Sequence, residues 1–113
     1  MTECIFCGIV AGDVPAEITH ADEHFVAFRD IAPKAPVHLL IVPRRHVASL
    51  SDVAALSEVE RARMPVFLAE VADRAGLDEG GYRAVTNHGP NSRQAVFHLH
   101  WHILGGALLS ESM

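Results

Sequence analysis

Phe97-His98-Leu99-His100-Trp101-His102-Ile103-Leu104 sets an imidazole against an apolar side chain at every second position. Successive side chains of an extended chain point to opposite faces. The period of two therefore predicts a strand with His98, His100 and His102 on one face and Leu99, Trp101 and Ile103 packed on the other. Imidazoles on a core strand are costly unless each ring nitrogen finds a partner. The row is thus a catalytic constellation, a set of metal ligands or a solvated polar face. Neutral imidazole, with an ordinary pKa of about 6.5, is a competent nucleophile, and a neighbouring histidine can hold or deliver a proton.

Working outward, the polar loop Asn87-His88-Gly89-Pro90-Asn91-Ser92-Arg93-Gln94 separates this segment from a strand candidate at Tyr82 to Thr86. Ser57-Glu58-Val59-Glu60 has capping-box form and opens the main helix. Val59, Ala62, Val66, Ala69 and Ala72 or Asp73 follow at roughly helical spacing, and Gly76 supplies the stop. Pro65 lies inside that pattern and is expected to kink the helix or delay its start. His38 to Val42, stopped by Pro43, reads as a buried strand, and Phe25 to Phe28 as its antiparallel neighbour. Cys4 to Ala11, closed by Gly12-Asp13, reads as one or two helical turns. His20 and His24 fall in a polar connection and are expected to be solvated, His88 on a turn surface, and Arg44-Arg45 at an exposed charged edge.

The chain has 113 residues, 50% of them apolar, with no repeat or linker, which predicts a single domain over residues 1–113. A chain this short gains from a metal staple or a partner subunit. The formal charge is −5 and the basic residues are scattered, which argues against a nucleic-acid partner but leaves room for a small phosphorylated ligand. Glu3 interrupts the N-terminus and the apolar stretch from Ile5 to Ala11 lacks a basic flank, so no signal peptide is expected. No apolar run approaches the roughly 20 residues that span a bilayer, so no membrane association is expected. The expected location is the cytoplasm, where a cysteine pair binds metal or does redox work more readily than it forms a disulfide. Cys4-x-x-Cys7 can clamp one Zn²⁺ with two thiolates if two further ligands come from elsewhere. No βαβ pattern follows it, which argues against a thioredoxin-type pair.

His98-Leu99-His100-Trp101-His102-Ile103-Leu104 matches the signature of the histidine-triad (HIT) family, in which three histidines alternate with apolar residues. Cys4-Ile5-Phe6-Cys7, Phe28-Arg29-Asp30-Ile31, Ala35-Pro36-Val37-His38, Val42-Pro43-Arg44-Arg45-His46 and Asn87-His88-Gly89 fall in the order and approximate spacing of such proteins. The chain resembles the HINT-like branch over nearly its whole length. The resemblance implies an α+β fold: an antiparallel sheet of about five strands, one long helix and a short N-terminal helix, paired as a homodimer. It implies a nucleotide hydrolase or nucleotidyl transferase, similar to purine nucleoside phosphoramidases, that cleaves at the α-phosphate. By this correspondence His100 is the nucleophile that becomes nucleotidylated, and His38 and His102 lie against the phosphate and leaving group. Asp30 takes the ribose hydroxyls. Ile5, Phe6, Ile9, Ile31 and Leu40 wall the base, and Asn87 and Gln94 face the phosphates. For Ile5, Phe6 and Ile9 ordinary core packing is the alternative. His46 and His98 match the zinc histidines of relatives that carry the cysteine pair, which makes Cys4, Cys7, His46 and His98 a closed structural Zn²⁺ set.

Arg93-Gln94-Ala95-Val96-Phe97-His98 departs from the family pattern Gly-Gln-Ser-Val-apolar-His. Ala95 has no hydroxyl to donate near the leaving group, and Arg93 adds bulk and charge in place of glycine. Two further readings follow: a nucleotide-binding module with slow turnover, favoured by Ala95, and a zinc-stabilised interaction protein.

Overall fold

The computed structural model describes residues 4–111. In chain order the elements are α1 (Ile5–Ala11), β1 (Ile18–Ala21), β2 (Phe25–Arg29), β3 (Val37–Pro43), α2 (Glu58–Arg74), β4 (Tyr82–Thr86) and β5 (Trp101–Gly105). Short 3₁₀ helices at Leu50–Ala55 and Pro90–Ser92 lie in the connections. The five strands form one antiparallel sheet in the order β1-β2-β3-β5-β4. This is the α+β architecture that the resemblance implies.

The strand period assigns each face of the sheet. Leu39 and Ile41 of β3 join Phe25, Ala27 and Ile103 under Phe67, Val71 and Ala72 of α2, forming the larger core. The alternate residues, Leu40 and Val42, join Val26 and Phe28 under Phe6 of α1. His38 belongs to this second set by alternation, so the histidine chemistry and α2 occupy opposite faces. α1 can be short because it is capped at both ends. Cys4 is its N-cap, with Sγ accepting from the Cys7 amide, and Gly12 closes it at φ 85°, a left-handed conformation that glycine adopts without strain. Gly8 is needed for contact, because a Cβ there would lie 2.6 Å from Val14 Cγ2.

Several expectations need correction. The histidine segment does not pair from Phe97: β5 begins at Trp101, and the chain bends at Val96, Phe97 and His98 before it joins the ladder. Leu99 donates its amide to Val47 O at 2.7 Å, and its side chain joins a separate cluster with Val47 and Leu56. The chain there is held from the side, not by a ladder. β1, from Ile18 to Ala21, was not expected at all, since its four polar-tinged residues carry a weak strand signal. Consequently His20 is no solvated loop residue: its ring stacks on Phe67 with centroids 5.0 Å apart.

α2 has the expected capping box, with Ser57 and Glu60 exchanging side-chain-to-backbone bonds. Its buried face is different from the one expected. Of the expected stripe Ala72 is buried, but Val59, Ala62, Val66, Ala69 and Asp73 are exposed, while Phe67 and Val71 are buried beside Ala72 with Met64 and Leu68 packed against them. The larger side chains win because the free energy of burial scales with apolar area. Pro65 neither delays nor interrupts the helix. Arg44 and Arg45 are exposed but engaged: Arg45 pairs with the buried Glu60 at 3.0 Å, and Arg44 donates to the Asp22 carbonyl.

Candidate active site

His38 from β3 and His102 from β5 sit on neighbouring strands and meet at 2.9 Å, His38 Nε2 to His102 Nδ1. The backbone N–H of Lys34 reaches His38 Nδ1 at 3.1 Å. A backbone amide only donates, so His38 Nδ1 is an acceptor and the neutral ring carries its proton on Nε2. Asp30 Oδ2 lies 3.4 Å from the same Nε2, while Asp30 Oδ1 accepts from the Ala32 amide at 2.8 Å. Burial lowers the pKa of His38, with Asp30 opposing and Lys34 assisting. Burial, then His100 and His38, push His102 down to about 4, against the pull of Asp30. Both rings are therefore neutral near pH 7.

His100 is 8% exposed and donates Nδ1–H to the carbonyl of His98 at 2.8 Å. A carbonyl only accepts, so the proton of the neutral ring is on Nδ1 and the lone pair on Nε2. That Nε2 makes no hydrogen bond among the described residues, and it is not sealed from solvent. Phe6 meets the ring edge-on at a centroid distance of 5.0 Å, and the His102 ring lies 5.1 Å away. The arrangement is a fixed imidazole with its nucleophilic nitrogen open and a second imidazole beside it.

His98 faces a different set of partners. It is fully buried, and Nε2–H donates to Pro43 O at 2.9 Å, which turns the Nδ1 lone pair toward Cys4 Sγ at 3.3 Å and Cys7 Sγ at 3.4 Å. His46 Nδ1 completes the group, 3.2 Å from Cys7 Sγ and 3.2 Å from His98 Nδ1. Tetrahedral Zn²⁺ with bonds of about 2.0 Å to nitrogen and 2.3 Å to sulfur separates its ligand atoms by roughly 3.3 to 3.8 Å. Those four separations stand close to that spacing, all four atoms lie within 4.8 Å of one another, and a ligand histidine that donates its other N–H to a carbonyl is the usual outer-shell arrangement. The residues fit a closed, structural Zn²⁺ site.

Of the residues assigned to the base wall, Phe6, Ile9 and Leu40 pack together against β2 and β3, while Ile5 is 50% exposed and Ile31 is 99% exposed. Core packing, the alternative for Ile5, Phe6 and Ile9, thus describes Phe6 and Ile9 but not Ile5, and Leu40 joins the same cluster. Asn87 follows β4 and is half-buried. Gln94 spends its amide on the backbone: Oε1 accepts from Gly89 N–H, and Nε2 donates to Ala48 O and Val96 O. It clamps the loop that leads into the histidines. Arg93 holds φ 65°, a left-handed conformation rare for a non-glycine residue, where the family pattern has glycine. Ala95 is exposed. A cavity of about 660 Å³ bounded by Leu77, Tyr82, Arg83 and Leu108 contains none of the histidines.

Sequence reasoning missed the groups that set ring orientation, namely the Lys34 amide and the carbonyls of Pro43 and His98, because every residue offers a backbone amide or carbonyl. It also missed the 2.6 Å contact of His88 Nδ1 with the buried Ser49 hydroxyl, which ties the loop after β4 to the turn after β3.

Comparison with known proteins shows similarity over nearly the whole chain. Residues 11–108 match the model of the HIT domain family. A purine nucleoside phosphoramidase of Escherichia coli is 39% identical over 104 residues, covering 92% of this chain and 87% of that protein. A HIT family hydrolase from Legionella pneumophila superposes with a TM-score of 0.90 at 39% identity, over 96% of this chain and 97% of that one. A histidine triad protein from Clostridium difficile superposes at 0.89 and 35% identity, over 100% and 98%.

Proposed function

Because the chain belongs to the HIT domain family, we propose that it is a hydrolase or nucleotidyl transferase that cleaves purine nucleoside phosphoramidates or related nucleotides at the α-phosphate. His100 Nε2 attacks the α-phosphorus, the bond to the leaving amine or phosphate breaks as that group takes up a proton from solvent, and a nucleotidyl-His100 intermediate forms. Water or another acceptor then attacks the same phosphorus and returns His100 to its starting state. Division of one difficult displacement into two is the gain from covalent catalysis. The observation that carries this reading is the bond from His100 Nδ1–H to His98 O, which leaves Nε2 as an open lone pair. His102 stands beside the phosphoryl group as a donor, and His38 orients it from behind. Asp30 serves the ribose, with Phe6, Ile9 and Leu40 walling the base beside the more exposed Ile5 and Ile31. Asn87 lies on the phosphate side, and Gln94 shapes the loop there.

Zn²⁺ held by Cys4, Cys7, His46 and His98 supplies no reactive position and fixes the N-terminal segment to the run that carries the nucleophile. The cytoplasm suits such a thiolate site, which a strongly oxidising compartment would threaten. No helix is long and apolar enough to cross a membrane. A homodimer is supported by the exposed stripe of Val59, Ala62, Val66 and Ala69 on α2.

The test is a single-turnover assay of wild type and His100→Ala with an adenosine phosphoramidate and with a dinucleoside polyphosphate, following an acid-labile adenylylated protein. The wild type should accumulate it and the variant should not; equal rates in the two proteins would refute the enzyme. Ala95 favours a second reading, a nucleotide-binding module. That reading predicts micromolar nucleotide affinity without turnover of either substrate.

A further inference from the structure

We propose that the backbone amide of Lys34 sets the proton positions of two catalytic rings in series and so makes His102 a neutral hydrogen-bond donor into the cleft. The proposal rests on the reading of His102 as a phosphate-side residue. The chain of contacts has one direction only. Lys34 N–H points at His38 Nδ1 at 3.1 Å, so His38 keeps its proton on Nε2. That Nε2–H meets His102 Nδ1 at 2.9 Å, nearer than Asp30 Oδ2 at 3.4 Å, so His102 keeps its proton on its own Nε2. His102 Nε2 has no hydrogen-bond partner among the described residues and is open to solvent, which makes it the delivering end.

The same chain decides against two other uses of this cluster. Asp30, His38 and His102 lie close enough together to suggest a metal site. A metal on His38 Nε2 would move that ring's proton to Nδ1, where it would oppose the Lys34 N–H. The cluster is therefore wired against a cation. Protonation meets the same obstacle, since a cationic His38 would present N–H to N–H at Lys34. His102 is equally blocked, because a second proton on its Nδ1 would oppose the His38 N–H. The groups that face His102 are His38, His100, Asp30 and Lys34, and only Asp30 favours a cation there. His102 thus stabilises charge on a phosphoryl oxygen as a neutral dipole and does not hand a proton to the leaving group.

The experiment reads tautomers directly. Long-range ¹H–¹⁵N spectra of the full-length, histidine-labelled, ligand-free protein at pH 7 should show His38 and His102 each with a pyrrole-type Nε2 and a pyridine-type Nδ1. A pyrrole-type Nδ1 on either ring, or an averaged pair, would overturn the proposal. Replacement of Lys34 by its α-hydroxy-acid analogue exchanges the N–H for an ester oxygen. Both rings should then lose their single tautomer, and kcat should fall roughly 10- to 100-fold with KM little changed. Lys34→Ala, which keeps the amide, should retain both tautomers; their loss there would move the effect to the side chain and refute the assignment. The kcat loss in the ester variant should be equal for substrates with poor and activated leaving groups. A loss confined to poor leaving groups would show proton delivery and overturn the neutral-donor role. Correct tautomers in a protein with no turnover would instead refute the proposed function.

Discussion

His102 is held neutral by burial and by the imidazoles around it, and this has a cost in acid. Its folded pKa, about 4, lies below the ordinary value of 6.5. The unfolded chain therefore binds a proton that the folded chain refuses between those values, and stability falls as pH drops through that window. His38 shifts in the same direction. Urea unfolding should show a loss of up to about 3 kcal/mol between pH 6.5 and 4 from His102 alone, before solvent screening reduces it. His102→Asn, whose amide oxygen can accept from His38, should flatten that slope; an unchanged slope would show that other groups carry it. At Ala95 the expected effect is on rate. Ala95→Ser should raise the single-turnover rate by roughly 10-fold or more if a hydroxyl is the missing donor, and no gain would show that the position does not limit turnover. The triad and the cysteine pair were legible as residues because alternation and spacing are properties of sequence. The atoms that decide which nitrogen reacts, His98 O and the Lys34 amide, were not legible, because a backbone group looks the same at every position.

α1 depends on the cluster at its own N-cap. Cys4→Ser retains a side-chain acceptor for the Cys7 amide, so it separates the loss of the metal from the loss of the cap. We expect the purified wild type to hold one zinc per chain under reducing conditions, and Cys4→Ser to bind it poorly. In the variant, amide exchange should speed up across Ile5 to Ala11 while α2 remains protected. A protein without zinc, or a variant with an equally protected α1, would contradict this. Pro65 gives a second test at this scale: it leaves the Arg61 carbonyl without an intrahelical donor inside α2. Pro65→Ala should stabilise the protein by about 1 to 3 kcal/mol in denaturant unfolding. Element type was legible wherever period and cap agreed, as for α2, β3 and β4. The buried face of α2 was not, because two apolar stripes compete on one helix and only the sheet decides between them. The start of β5 was hidden because the histidine alternation persists upstream of the last paired residue.

Across the whole molecule, the sheet separates the histidine cleft from α2, and the stripe of Val59, Ala62, Val66 and Ala69 lies on the outer side of that helix. Spacings of three and four residues are those of a helix-pair seam. Val66→Glu should convert a dimer to a monomer by sedimentation; a wild type that is monomeric at micromolar concentration would remove the homodimer. The metal cluster has a reach of the same scale, since Cys4 and His98 are 94 residues apart in sequence. During synthesis the chain emerges N-terminus first, so the cysteine pair waits for its last candidate ligand until residue 98 has been made. His98 arrives two residues ahead of His100, the proposed nucleophile. The clasp and the reactive ring are thus completed in one late event, and a truncated nascent chain lacks both.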